Sequence, residues 1–114
     1  MIARLHWIGT AAALLLSIVH LFVTTRIYPT LTLPALWFAG TGLALFAIGL
    51  LNVVALRTPT RLSSLLVLIA NLMTAIFMLL LYSVHPAAQV SFGIGLFVVL
   101  SCCSIALLRR SAAL

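Results

Sequence analysis

Residues 62–82 read LSSLLVLIANLMTAIFMLLLY and carry no charged side chain, with Arg61 standing immediately before them. A helix rises about 1.5 Å per residue and the bilayer hydrocarbon is about 30 Å thick, so about 20 apolar residues span it. The segment therefore predicts a transmembrane helix. Three more stretches have the same character: residues 5–25, 34–56 and 87–108. Thr32 and Pro34 suit the start of the second helix, since proline is tolerated in a first turn. Arg57-Thr58-Pro59-Thr60-Arg61 reads as a turn, and His85-Pro86 reads as the opening of the fourth helix. Connections this short make sequential helices antiparallel neighbours. The expected fold class is an all-α membrane protein, an antiparallel bundle of four transmembrane helices forming a single membrane domain over residues 1–114.

Composition points the same way. Of 114 residues, 66% are hydrophobic and 5% are charged, against roughly 25% charged in a soluble domain. There is no Asp or Glu, and the six basic residues give a net charge of +6. The arginines stand singly or in pairs between apolar runs and form no basic face, which argues against nucleic acid. They fit membrane topology instead, because arginine beside a span is held by anionic head groups and resists translocation. With the N-terminus inside, Arg4, Arg57, Arg61, Arg109 and Arg110 are all cytoplasmic and only Arg26 lies outside. Both termini are therefore expected in the cytoplasm, with the bacterial inner membrane as the expected location. The first segment has Arg4 before an apolar core, as a signal peptide would, but the core is longer than usual and no A-x-A site follows it. It reads as a retained helix.

In lipid, helices associate through close packing and hydrogen bonds, so small and polar residues mark the faces that meet. On the first helix His6, Thr10, Ala13, Ser17, His20 and Thr24 form one stripe at steps of four and three. A matching stripe on the third is Ser64, Asn71, Ala75, Met78 and Tyr82, extended to His85. Gly40, Ala44 and Ala47 supply a small face on the second helix, with Asn52 on a neighbouring strip, and Ser91 with Gly95 does so on the fourth. By depth, Thr10, Asn52, Ser64 and Ser101 fall in the cytoplasmic half and Asn71 nearer the middle.

Two sets of candidate residues follow. His20, Arg26, Tyr28, Tyr82 and His85, with Trp37 close by, form an outer-side polar cluster. Paired imidazoles can ligate a haem iron or relay protons; the simpler account has His20 bonded to a neighbour and His85 capping a helix. Ser17, Asn52 and Asn71 are intramembrane polar groups expected to join helices. Trp7, Trp37, Tyr28 and Tyr82 suit the aromatic belts at the membrane surfaces. Adjacent Cys102 and Cys103 point apart on a helix and read as free apolar thiols.

A chain without carboxylate side chains lacks the usual general acid, base and metal ligand. Ser17 and His20 stand one turn apart but have no acidic orienter. No catalytic residue, metal site or cofactor is therefore expected. In size and span number alone the chain resembles the small multidrug-resistance transporters. That family exchanges protons for cationic drugs through a glutamate in the first helix, where this chain has Ser17 and His20. The leading expectation is a non-enzymatic packing or accessory subunit, homo-oligomeric or part of a larger membrane complex, with the lipid bilayer as its medium. The alternatives are a small transporter or permeation subunit with a proton-sensitive His20, and a redox subunit holding haem at His20 and His85.

Overall fold

The computed structural model describes residues 1–113. It consists of four helices, α1 (Ile2–Ile27), α2 (Leu33–Arg57), α3 (Arg61–Val84) and α4 (Ala88–Ala112). Each is long and apolar enough to cross a membrane. The longest, at 26 residues, reaches about 39 Å at about 1.5 Å per residue, beyond the roughly 30 Å of hydrocarbon. Against the segments expected from hydropathy, α1 to α3 run one to three residues further at each end, and α4 begins one residue later and ends four residues later. Arg4, Arg109 and Arg110 end an apolar run, yet arginine is a good helix former, so the backbone continues through it.

The ends have local causes. The Thr32 hydroxyl accepts the Ala35 N–H at 3.3 Å and proline stands in the first turn of α2. Pro59 cannot continue α2, and Thr60 then caps α3: the Thr60 and Ser63 side chains satisfy each other's backbone N–H groups at 3.0 Å. His85 is the C-cap of α3. It does not open the fourth helix, which starts at Ala88 after the N-cap Ala87. Pro86 lies one residue before that cap, and its ring disfavours helical geometry at His85, separating the two helices.

α1 packs on α2 and α4, and α3 packs on α4 and α2, so α1 and α3 are diagonal. The stripes of α1 and α3 both face the bundle axis without meeting each other. Phe97 and Leu100 of α4, Ala13 of α1 and Leu45 of α2 fill the centre. The outer surface is apolar: Leu36, Leu80 and Phe22 are each more than half exposed. Such a surface is stable only against lipid, and the protein is integral to the membrane.

The α1 stripe packs as expected: His6, Thr10, Ala13, Ser17 and Thr24 are buried, and His20 is half-buried. The α3 stripe is buried from Ser64 to Met78, but Tyr82 and His85 are exposed. The expected faces of α2 and α4 are overturned. Gly40, Ala44, Ala47, Ser91 and Gly95 are all exposed. The buried face of α2 is Ala35, Gly42, Leu45, Gly49, Asn52 and Ala55, so Asn52 belongs to the main seam and not to a side strip. On α4 Gly93 takes the place given to Gly95. The reason is complementarity. Leu14 of α1 lies where a side chain at Gly49 would stand, 2.5 Å from an added Cβ, and Leu21 does the same at Gly42 at 2.9 Å. Gly93 faces Met78, whereas Gly40 and Gly95 face nothing within 4 Å.

Candidate functional site, a polar chain through the bundle

The most developed polar structure links all four helices. The α1 stripe presents His6, the seam of α2 presents Asn52, the α3 stripe presents Asn71, and α4 presents Ser104. All four are at most 1% exposed. His6 Nε2 lies 2.8 Å from Asn52 Oδ1. The two asparagines form a reciprocal pair: each Nδ2 donates to the other's Oδ1 at 3.0 Å. Asn71 Nδ2 also donates to Ser104 Oγ at 2.9 Å. Asn71 stands near the midpoint of α3, as expected, and Asn52 five residues from the end of α2, and their side chains meet between the two levels.

The chain is closed at its edges. Asn52 Nδ2 gives its second hydrogen to the Ile48 carbonyl at 2.9 Å. Ser104 Oγ donates to the Leu100 carbonyl at 2.8 Å. Flipping either amide alone would set like groups against each other, and flipping both would aim Asn52 oxygen at the Ile48 carbonyl. The arrangement is thus unique, and it places the proton of His6 on Nε2, because Asn52 Oδ1 can only accept. Every amide and hydroxyl hydrogen of Asn52, Asn71 and Ser104 has an acceptor. In hydrocarbon an unpaired polar group costs several kcal/mol in round terms, so a slip of any helix would break the set.

Nearby contacts hold the same end of the bundle. Thr10 Oγ1 donates to the His6 carbonyl at 2.8 Å. The Arg57 guanidinium lies over the Trp7 ring, 5.5 Å from its centroid, tying α2 to α1. The Ser111 and Ser64 hydroxyls lie 3.2 Å apart, tying α4 to α3.

The outer-side candidates form a looser group at the opposite end. His20 stacks on Phe38 of α2 with centroids 3.9 Å apart and planes at 13°. Tyr28 meets the same phenyl ring at 5.7 Å and 56°. His20 Nε2 is buried with no hydrogen-bond partner, so His20 is not bonded to a neighbour there. Arg26 lies over Phe22 of its own helix at 5.1 Å. Tyr82 and His85 stand exposed on α3 and its cap, outside the His20–Phe38–Tyr28 contacts. No cluster of three or more His or Cys able to hold a metal occurs among the described residues. Ser17 is buried in the packing, but its hydroxyl donates to the Leu14 carbonyl of its own helix at 2.6 Å, so that hydrogen joins no second helix. Cys102 is exposed and Cys103 buried.

Beside the polar chain, α2 and α3 part to leave a groove of about 320 Å³ lined by Leu45, Ile48, Phe77 and Met78, with Thr41 and Thr74 in its walls. Both threonine hydroxyls donate to carbonyls of their own helices, so the groove is apolar.

Asn52 and Asn71 are legible in the sequence as intramembrane amides, and the structure joins them. His6, Ser104 and Phe38 were missed as site residues. His6 has a signal, since it sits on the α1 stripe. Ser104 has a weaker one, one turn after Ser101. Phe38 has none, because a phenylalanine in a span is ordinary. Comparison with protein-family models, with curated proteins and with solved structures gives no match for this chain.

Proposed function

We propose that this protein is a non-enzymatic membrane subunit that acts through its packed shape, as a homo-oligomer or as an accessory of a larger membrane complex. The observation that supports this reading is the closed polar chain His6–Asn52–Asn71–Ser104. Its amide and hydroxyl hydrogens are spent on one another and on the backbone, so it holds helices in register and offers those donors to no substrate. The total absence of Asp and Glu fits the same reading. The distribution of arginine supports an orientation with both termini cytoplasmic, and the bacterial inner membrane is the location that goes with this reading.

The test is purification of the full chain in mild detergent, with mass measurement by light scattering and identification of co-purifying proteins after cross-linking in the membrane. A discrete oligomer or a stoichiometric partner is expected. An isolated monomer with no partner, before and after cross-linking, would sink the proposal.

A second reading is a small transporter or permeation subunit in which His20 is proton-sensitive. It is favoured by one observation, the buried and unpartnered Nε2 of His20. His20→Ala in proteoliposomes tests it. Proton-coupled uptake that is the same in the variant and the wild type across pH removes His20 from any such role.

A further inference from the structure

We infer that the end of the bundle carrying the termini is a binding surface for the head groups of anionic phospholipids. Arg57, Arg61, Arg109 and Arg110 are all exposed and stand at that end of the bundle. Arg57 and Arg61 flank the α2–α3 turn, with the Arg57 guanidinium held against Trp7. The contact between Ser64 and Ser111 sets the last turn of α4, with Arg109 and Arg110, beside the first turn of α3, which begins at Arg61. With Arg4, exposed in the first turn of α1, five guanidinium groups therefore stand at this end of the bundle.

No acidic side chain exists anywhere in the chain to pair with them. Their counter-charge therefore comes from no side chain of this protein. The helices overrun the hydrocarbon, so these groups lie at head-group level, where the available anions are lipid phosphodiesters. Guanidinium matches them well, since its planar fork donates two parallel hydrogen bonds to adjacent phosphate oxygens. Arg26, at the opposite end, is alone and lies over Phe22. The inference rests on the membrane-spanning fold and holds whether the protein is an accessory subunit or a transporter.

The test is native mass spectrometry of the full chain in detergent with equal amounts of phosphatidylglycerol and phosphatidylcholine. Both carry a phosphodiester, but only the first is net negative. Wild type should retain phosphatidylglycerol in preference. Each arginine near an anionic surface contributes about fivefold to such binding, so the quadruple variant R57Q/R61Q/R109Q/R110Q should lose the preference by about tenfold or more. R26Q should keep it. Circular dichroism checks that each variant retains its helices. Equal retention of the two lipids by wild type, or a preference that survives the quadruple Gln substitution, would overturn the inference.

Discussion

Asn71→Ala removes three hydrogen bonds between helices, two with Asn52 and one with Ser104. Asn52→Ala also removes three, the same two and the one from His6. Inter-helical hydrogen bonds in membranes average about 0.6 kcal/mol each, so either substitution should cost about 2 kcal/mol. The double variant loses only four distinct bonds, because the reciprocal pair is shared. Its expected cost is about 2.4 kcal/mol at the same value per bond, which leaves a coupling of about 1.2 kcal/mol. Desolvation of a donor left behind in either single variant makes the coupling larger, since a buried group without its partner costs about 1–3 kcal/mol. The measurement is a double-mutant cycle by reversible unfolding in mixed micelles, with helix content as the readout. Single-variant costs that add to within about 0.5 kcal/mol of the double would refute the reciprocal pair, because independent sites behave that way.

The remaining expectations concern packing and access. Gly49→Ala should destabilise the bundle by about 1–3 kcal/mol through its collision with Leu14, whereas Gly40→Ala and Gly95→Ala should leave it within about 1 kcal/mol of wild type; unfolding midpoints in one detergent separate the two outcomes. Phe38→Leu should lose the stack on His20 at a cost of about 0.5–1.5 kcal/mol, measured in the same assay. A lipophilic maleimide should label the exposed Cys102 in a Cys103→Ser variant much faster than the buried Cys103 in a Cys102→Ser variant; equal rates would contradict the placement of α4.

The seam that keeps α1 against α2 shows why some faces cannot be read in advance. Gly40 and Gly42 are the same residue two positions apart on one helix, yet one faces open space and the other faces Leu21. In water the polar side of a helix would separate them. In lipid the exterior and the interior are both apolar, so the one strong mark of the inward face of α2 is Asn52, ten residues from Gly42, too far along the helix to choose between the two glycines. α1 carries such marks along its length. Its His, Thr and Ser residues must avoid hydrocarbon, and their spacing at threes and fours places them on one face. The Asn residues belong between these cases. Their need for partners is evident from chemistry, but which partners they find depends on where helices distant in sequence come level.

By itself, then, the sequence determines four membrane-spanning helices, the turns between them, a charge made of arginine without Asp or Glu, and the inward face of α1, because hydropathy, helix breakers and charge act locally along the chain. Tertiary structure alone decided that His20 stacks on Phe38 and leaves its Nε2 unpaired, that α2 and α4 turn Gly42, Gly49 and Gly93 inward, and that His6, Asn52, Asn71 and Ser104 join into one chain. Those outcomes depend on which leucine fills which glycine notch and which polar groups then come within about 3 Å, the reach of a hydrogen bond.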